Sequence, residues 1–532
     1  MVKKCLFIMI PILILLAFIG KGSVVYAKAA TKDDYRYELQ KDDSYTITRY
    51  LGSESKVVIP NKINGKKVTR IGDDAFYGCK NLTSVTIPNG VISIGYCAFH
   101  ECSNLKSITI PSSVKSIGDN PFYNTKWLYN EQKKNPFVVV NSILIDGSTA
   151  NGKVTIPKGV TSINSFAFVR CSNLTSITIP SSVKNIGFGA FSGCSNLTSI
   201  TIPEGVTSID RNAFYECTNL TSVTIPNSVT SISDSAFENC SNLTSITIPS
   251  NVKSIGERAF YYCSNLTSIK IPKGVTSIAY GVFAGCSSLT SITIPNGVTS
   301  IDGGAFSECS SLTSIMIPKG VTSIGEDAFG GCSNLTSITI PKGVTSIGGG
   351  AFYNTAWLYD KQKINSLVIV NNLLIDGSTA KGKVTIPKGV TSICNYAFRS
   401  CSDLSSITIP SSVKSIGDDA FQWCSNLTSI TIPKGVTSIG SGAFYNTAWL
   451  YNKQKKNSLV IVNNLLIDGS TANGNVTIPK GVTIIGDGAF QYCHNLRSIT
   501  IPNGVTSIGD SAFFECINLT SITIPKGCDY YR

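Results

Sequence analysis

The chain has very little histidine and few charged residues. His100 and His494 are its only histidines in 532 residues, and Asp, Glu, Lys and Arg together make up 14%. Histidine is the side chain best suited to proton transfer and metal binding near neutral pH, so both chemistries have few candidates here. No Ser/His/Asp set and no pair of carboxylates stands outside the repeated pattern. The sequence therefore predicts no catalytic residue, no enzyme activity, no cofactor and no metal site.

A second long apolar run is also missing. The one present, residues 6–19, follows Lys3 and Lys4 and precedes small residues around Ala27, which is the pattern of a secretory signal peptide. We predict a signal peptide over residues 1–27, with an uncleaved signal anchor as the alternative. The rest of the chain is expected to have no transmembrane segment and to be secreted, extracellular or associated with a cell surface.

A 23-residue repeat fills most of the remaining chain. One unit, starting at Cys194, reads Cys-Ser-Asn-Leu-Thr-Ser-Ile-Thr-Ile-Pro-Glu-Gly-Val-Thr-Ser-Ile-Asp-Arg-Asn-Ala-Phe-Tyr-Glu, and the next starts at Cys217. Cysteines on this grid lie 23 or 69 residues apart: Cys79, Cys102, Cys171, Cys194, Cys217, Cys240, Cys263, Cys286, Cys309, Cys332, Cys401, Cys424, Cys493 and Cys516. A fixed period of this length predicts a repeat solenoid of about twenty stacked coils.

Each part of the unit predicts a local structure. Leu-x-x-Ile-x-Ile alternates like a short strand, and the proline after it ends that strand because proline has no N–H to donate. Val-x-x-Ile indicates a second extended piece, and Ala-Phe-x-x-Cys-x-x-Leu favours one helical or 3₁₀ turn. The fold is therefore expected to be mainly β, with like side chains stacked over their copies in a parallel strand ladder.

The motif Leu-x-x-Ile-x-Ile-Pro-x-x-Val-x-x-Ile-x-x-x-Ala-Phe-x-x-Cys resembles the BspA-like leucine-rich repeats. The resemblance covers about residues 45–527 and rests on five or more positions that recur from unit to unit. It implies a leucine-rich-repeat solenoid with a parallel strand ladder on one face. It also implies export or surface display, and some members of the family are adhesins that bind host matrix proteins.

The regular solenoid is predicted over residues 71–528. Residues 28–70 are more polar and are expected to form an N-terminal cap, which would hide the first apolar layer and the open strand edge. The last unit is incomplete, and residues 529–532 are expected to form a short C-terminal tail.

Three units, at 122–157, 352–387 and 444–479, are longer than the others by one period. Each contains Trp-Leu-Tyr, a lysine-rich stretch and Leu-Ile-Asp-Gly-Ser-Thr-Ala. Asn371-Asn372 between two apolar segments suits a two-residue hairpin turn, because asparagine tolerates positive φ. The alternative, which we favour because the grid stays in phase, is a degenerate coil.

The grid cysteines are predicted to be buried free thiols that act as small apolar side chains. Removal of Cys5 with the signal peptide leaves 17 cysteines, so they cannot all pair within one chain. Stacked side chains also run parallel instead of converging, although disulfide rungs between coils are the alternative.

Two outward-facing features could bind a ligand. The strand positions Ser-x-Thr form a row of hydroxyl groups, which is either a solvated strand surface or a hydrogen-bonding platform. A column of lysines follows the strand proline, and it is either a solvated edge or a site for an acidic polymer. These lysines are Lys158, Lys273, Lys319, Lys342, Lys388, Lys434, Lys480 and Lys526.

The tryptophans of the long units, Trp127, Trp357 and Trp449, are further ligand-binding candidates. With the tyrosines beside them they could stack on sugar rings or form a protein hot spot, or they could cover the core where the regular unit is interrupted. The Asp-Gly-Ser-Thr-Ala segments lack the alternating carboxylates of a calcium loop and are predicted to be turns.

Together these features predict a secreted or surface binding protein with many similar sites. The expected partner is a host or matrix protein or an acidic polysaccharide, held by multivalent contacts. Nucleic acid is not expected, because no aromatic residues interleave with the lysines. The alternative is a structural spacer or surface-layer component without a specific ligand.

Overall fold

The computed structural model describes residues 32–530, so the predicted signal peptide, residues 1–27, lies outside the described residues. The chain divides into two compact units, Met1–Asn130 and Glu131–Arg532. Each unit is described by itself.

In Glu131–Arg532 each regular coil carries two short strands, and most of these strands pair in parallel with their copies in a neighbouring coil. Ser199, Ile200 and Thr201, for example, pair with Ser222, Val223 and Thr224. Because each pairing joins residues 23 positions apart, every side chain lies over its own copy. The predicted solenoid of stacked coils is confirmed, with two parallel ladders in place of the single one expected.

The first ladder contains the Leu-x-x-Ile-x-Ile strands. In Glu131–Arg532 these are Gly152–Thr155, Leu174–Thr178, Ser199–Thr201, Ser222–Thr224, Ser245–Ile246, Ser268–Lys270, Ser291–Thr293, Ser314–Met316, Ser337–Thr339, Gly382–Thr385, Leu404–Thr408, Ser429–Thr431, Gly474–Thr477, Leu496–Thr500 and Ser521–Thr523. The prolines that follow end these strands, as predicted.

The second ladder contains the Val-x-x-Ile strands. In the same unit these are Ile143–Asp146, Ser162–Ile163, Asn185–Ile186, Ser208–Ile209, Ser231–Ile232, Ser254–Ile255, Ser277–Ile278, Ser300–Ile301, Ser323–Ile324, Ser346–Ile347, Leu373–Asp376, Ser392–Ile393, Ser415–Ile416, Ser438–Ile439, Leu465–Asp468, Ile484–Ile485, Ser507–Ile508 and Asp529–Tyr530. Asp529–Tyr530 was expected to begin a tail, but it pairs in parallel with Ser507–Ile508.

The third side of each coil consists of tandem turns, and the predicted helical or 3₁₀ turn does not form there within the described residues. In the coil around Phe260, the N–H groups of Arg258, Phe260 and Tyr262 donate to the carbonyls of Tyr280, Val282 and Ala284 in the next coil, at 2.7–3.0 Å. The N–H groups between them donate within the coil, as Tyr261 does to the carbonyl of Arg258 at 3.0 Å. A helix would use both sets internally, so bonding between coils replaces it. We call this side the turn face.

The core of each coil lies between the two ladders and the turn face. Phenylalanine rings from successive regular coils stack on one another between the inserts; the centroids of Phe214 and Phe237, for example, are 5.3 Å apart with their planes 7° from parallel. Both side chains are fully buried, as are Cys217 and Leu220 in the same coil. The stacked columns of like residues therefore form the apolar core, as predicted.

The long units contain the α-helices of the described chain. These are α1 (Lys126–Lys134), α2 (Ala356–Ile364) and α3 (Ala448–Gln454). Each is followed by a strand that pairs antiparallel with a second-ladder strand: Val138–Val140 with Ile143–Asp146, Val368–Val370 with Leu373–Asp376, and Val460–Val462 with Leu465–Asp468. The predicted hairpin alternative is thus confirmed.

The favoured degenerate coil is also partly right. The second strand of the hairpin continues the second ladder, because Leu373 and Leu374 pair in parallel with Ser392 and Ile393. In the first ladder, α2 lies in the chain between the successive strands Ser337–Thr339 and Gly382–Thr385. Each insert therefore fills one coil position, which explains why the grid stays in phase.

Met1–Asn130 contains the same two kinds of ladder. Its first-ladder strands are Lys56–Val58, Ser84–Thr86 and Ser107–Thr109, and its second-ladder strands are Tyr45–Tyr50, Lys66–Ile71, Ser93–Ile94 and Ser116–Ile117. A 3₁₀ helix, Lys32–Asp34, precedes the strand Tyr35–Leu39, which pairs antiparallel with Tyr45–Tyr50; Lys62–Ile63 pairs antiparallel with Lys66–Ile71. The rings of Tyr35 and Tyr50 pack on Phe76, at 6.4 and 5.1 Å. These rings cover the first phenylalanine of the described core, and the cap over residues 28–70 stays a prediction.

Candidate ligand-binding surfaces

The predicted lysine column lies on an exposed edge, in the turns that follow the first ladder. All eight side chains are exposed, and none takes part in an ion pair within residues 32–530. The coils of Lys319 and Lys342 are direct neighbours, because Ser314 pairs with Ser337. Successive coils are about 4.8 Å apart, so the two ammonium groups can face the same partner.

A second column of lysines, missed by the sequence analysis, runs beside the first. Its members in Glu131–Arg532 are Lys184, Lys253 and Lys414, which follow the repeated valine in coils of the type Pro-x-x-Val-Lys, and all three are exposed. A Cβ atom at Gly435 would lie 3.3 Å from Lys414 Nζ, so this lysine reaches over the turn that carries Lys434. The alternation of Pro-Lys-Gly-Val with Pro-Ser-Ser-Val-Lys is the sequence signal that could have revealed it.

The structure places the predicted tryptophans against the core. Trp357 and Trp449 are 9% and 7% exposed, and their rings lie 4.9 and 4.7 Å from those of Phe352 and Phe444. Trp127 is half-buried and lies 4.6 Å from Phe122. The first two rings therefore offer little surface to a ligand, and the binding role of all three stays a prediction.

The tyrosines two positions after these tryptophans are the exposed rings of the inserts. Tyr129, Tyr359 and Tyr451 are exposed by 57–60%. Lys363 Nζ lies 4.2 Å from the centre of the Tyr359 ring, and Lys455 Nζ lies equally close to Tyr451. Each insert thus presents an aromatic face to solvent.

The outward hydroxyl groups of the first ladder are exposed, as predicted. Met316, which interrupts this row, is 72% exposed. Some nearby threonine hydroxyls donate hydrogen bonds within the solenoid; Thr267 Oγ1, for example, donates to the carbonyl of Thr244 in the preceding coil at 3.3 Å. The row is therefore a polar surface with part of its donor capacity already used.

The grid cysteines are free thiols in the structure, and those of the regular coils in Glu131–Arg532 are buried except at the C-terminal Cys516. Their thiols donate to the preceding coil: Cys240 Sγ lies 3.2 Å from the carbonyl oxygen of Phe214. Burial raises the pKa of Cys217 and of Cys286 to about 12. The thiolate form is thus disfavoured, and these groups are poor nucleophiles.

The Asp-Gly-Ser-Thr-Ala segments hold their aspartates in internal hydrogen bonds. Asp376 accepts hydrogen bonds from Gln362 Nε2 and Ser378 Oγ, both at 2.9 Å, and Asp146 and Asp468 have equivalent partners. Burial raises the pKa of all three carboxyl groups. Among residues 32–530, no group of three or more His, Cys, Asp or Glu side chains is arranged to hold a metal ion.

Glu131–Arg532 also has a groove on its turn face that the sequence analysis missed. Two cavities, of about 390 and 930 Å³, share Glu326 and Asp327 as lining residues. Tyrosine rings wall both cavities, and small residues form their floor. Within the described part of the chain, no helix has the length and apolar character needed to cross a membrane.

A protein-family model, the BspA type leucine rich repeat region, matches residues 55–137, 147–267, 253–379, 365–473 and 468–532. No curated protein matches the chain.

Several solved structures are similar to the chain. A leucine-rich repeat protein from Bacteroides ovatus is 27% identical over 68% of this chain and 95% of that one, with a TM-score of 0.35. A leucine rich cell surface protein from Faecalibacterium prausnitzii is 27% identical over 96% of each chain, with a TM-score of 0.20. A leucine-rich repeat protein from Eubacterium ventriosum is 23% identical over 79% of this chain and 94% of that one, with a TM-score of 0.35.

Proposed function

The chain belongs to the BspA-type leucine-rich-repeat family, and from that we propose that it is an exported binding protein that holds acidic partners along its lysine columns. The partner would be an acidic surface of a host or matrix protein or an acidic polysaccharide. The cell-surface description of the similar Faecalibacterium prausnitzii protein and the apolar run at residues 6–19 support a location at the cell surface or outside the cell.

The observation that carries this proposal is the fixed register of the coils. Because the coils stay in register, the eight exposed lysines fall on one edge without ion-pair partners among the described residues; Lys319 and Lys342 lie in adjacent coils, the others lie two or more coils apart, and Glu204 occupies the same position in one coil. Like charges on neighbouring coils repel each other, and an acidic polymer along the edge would relieve that repulsion. Each contact is weak, but contacts to several coils add when one partner spans them.

The test is charge reversal within the column. A variant with Lys319, Lys342, Lys388 and Lys434 changed to Glu is compared with the unchanged protein on immobilised heparin and on an array of matrix proteins. Loss of four exposed ion pairs should weaken binding about tenfold or more at low salt, and the difference should shrink as salt rises.

The matched control reverses four exposed lysines outside both columns, Lys361, Lys363, Lys453 and Lys456, with the same change in net charge. Equal losses in the two variants would show that net charge alone binds the probe, and the proposal would fail. Absence of saturable binding across heparin and the array would favour a structural spacer instead.

A further inference from the structure

The groove on the turn face of Glu131–Arg532 has a floor of small residues. Its small lining residues are Gly281, Ala284, Gly285, Gly304 and Ser307, and the carboxylates Glu308 and Asp327 occupy the same repeat positions in the coils that follow. The coil before this stretch has Arg258, Tyr261 and Tyr262 at the same positions. The small residues therefore leave a trough, because the tyrosine and arginine side chains stand at its border and only the carboxylates of Glu308, Glu326 and Asp327 reach its floor.

Tyrosine–arginine pairs stand at both ends of the trough. At one end, Arg258 lies 5.4 Å from the ring centre of Tyr261 and 5.5 Å from that of Tyr280. At the other end, Arg399 lies 5.2 Å from the ring centre of Tyr396. Tyr353 and Tyr359, which are 69% and 60% exposed, complete the second wall.

The trough is long enough for several sugar rings in a row. It extends over four coil spacings, from the coil of Tyr262 to that of Tyr353, which is about 19 Å at the usual strand separation. One of its cavities has a volume of about 390 Å³ and the other of about 930 Å³, and Glu326 and Asp327 line both. A ligand that follows the trough would thus lie along the solenoid axis.

The lining is suited to hydroxyl groups and to C–H surfaces. Tyrosine faces pack against the apolar faces of pyranose rings, and carboxylates accept hydrogen bonds from hydroxyl groups. Glu308 Oε2 accepts a hydrogen bond from Tyr262 at 3.2 Å, which orients that ring, and Asp327 lies on the floor between the two cavities. The glycines let a ligand approach the backbone closely.

Charge and backbone geometry restrict the class of ligand. Three carboxylates, Glu308, Glu326 and Asp327, line the middle of the trough, whereas the two arginines stand at its ends, so an acidic chain along the floor would be repelled. An extended peptide that adds as a strand needs free backbone donors. Backbone donors of the floor are already used within the solenoid. The N–H of Gly281 donates to the carbonyl of Gly303 at 2.9 Å, and the N–H of Gly304 donates to that of Glu326 at 2.8 Å, so neither can pair with an added strand.

We infer that this trough, which has a tyrosine–arginine pair at each end, binds an uncharged oligosaccharide built of pyranose rings. The ligand lies across the glycine floor, with rings stacked on Tyr353, Tyr359 and the wall at Tyr262. The site is separate from the lysine columns and does not depend on them.

The test uses neutral hexasaccharides as probes: cellohexaose, xylohexaose, mannohexaose and maltohexaose, titrated calorimetrically into the protein that starts at residue 28. At least one is expected to bind saturably. Gly304→Tyr, which fills the floor, and Tyr353→Ala, which removes a wall ring, should each weaken that binding tenfold or more. The backbone at position 304 tolerates a large residue, since Tyr396 holds the equivalent position with a similar positive φ.

Two matched controls lie outside the trough. Asn212→Tyr places the same ring at the equivalent position of an earlier coil, and Tyr445→Ala removes the tyrosine of the same Phe-Tyr-Asn-Thr-Ala-Trp sequence at the other insert. Both should bind the hexasaccharide as the unchanged protein does. Tyr353→Ala keeps the test decisive if Gly304→Tyr fails to fold.

Three outcomes would overturn the inference. None of the four probes binds at millimolar concentration; the trough variants and the control variants lose binding equally; or heparin hexasaccharide or a lysine-rich peptide competes for the trough with higher affinity. The four-lysine variant separates the two proposals, because it should keep hexasaccharide binding even if heparin binding is lost.

Discussion

At the level of single residues, the cysteine column has a role beyond filling space. The carbonyl oxygen of Phe214 accepts hydrogen bonds from the N–H of Cys217 and from the thiol of Cys240 in the next coil, both at 3.2 Å. The 23-residue period predicted that these side chains face inward, but it could not show that the thiol has an acceptor. Alanine or valine would pack at this position without donating.

Replacing Cys240 tests that role. Cys240→Ala removes the donor and leaves a small cavity, so the free energy of unfolding should fall by about 1–2 kcal/mol in urea denaturation followed by circular dichroism. Cys240→Ser keeps a hydrogen-bond donor, so its free energy of unfolding should fall by less than that of Cys240→Ala. A serine variant that is no more stable than the alanine variant would show that the sulfur only fills volume.

At the level of elements, the inserts differ most from the sequence expectation. Helix signals were present around α2: Thr355 stands at the N-cap and lysines lie in the last turn. The sequence pattern favours a degenerate coil instead of a helix, because the insert adds one whole 23-residue period and the later cysteines stay in phase. The hairpin is predicted only as the alternative to a degenerate coil, because asparagine tolerates positive φ; Asn371 and Asn372 do have positive φ, at 49° and 65°.

The buried Thr355 hydroxyl secures the start of α2. It accepts a hydrogen bond from the N–H of Leu358 at 3.1 Å and donates to the carbonyl of Phe352 at 2.7 Å. Thr355→Ala should therefore lower the free energy of unfolding by about 1 kcal/mol, measured by urea denaturation. Thr355→Ser retains both bonds and serves as the control; an alanine variant equal to it would contradict the capping role.

The carboxyl group of Asp376 should make the hairpin that follows α2 sensitive to pH. Burial raises its pKa above the ordinary value of 3.8, so the folded state binds this proton more tightly than the unfolded state. Its contribution to stability is present below about pH 3.8 and is lost as pH rises through the folded pKa. As the pH rises from 4 to 7, the melting temperature of the unchanged protein should fall relative to that of the Asp376→Asn variant. A constant difference between the two would refute this.

At the level of the whole chain, the sequence predicted the stacking of like side chains but not the groove or the hydrogen bonds of the turn face. The spacing of Phe and Cys was enough to predict the register, and the repeat motif identified the family. The groove could not be found this way, because it consists of small residues in a few consecutive coils, such as Gly304, next to an insert. The inter-coil hydrogen bonds of the turn face were missed because the motif fits a helical turn equally well.

Removal of one full coil tests the register directly. Deleting residues 195–217 joins Cys194 to Thr218 and keeps every column in phase, so the shortened protein should retain its circular dichroism spectrum and cooperative melting. Deleting residues 195–206 shifts the chain by half a coil and should cause unfolding or aggregation on size-exclusion chromatography. Equal behaviour of the two deletions would mean that the stacking of like residues does not hold the chain together.

The inserts give the solenoid an uneven response to force. In Glu131–Arg532 the apolar side chains separate into distinct clusters at the inserts, because Leu373 belongs to one and Leu374 to the next, and Trp357 closes the phenylalanine stack that ends at Phe352. Tension on the two ends of this unit would meet its weakest resistance at these seams. The coils between two inserts would then unfold together, and the coils beyond the next insert would stay folded.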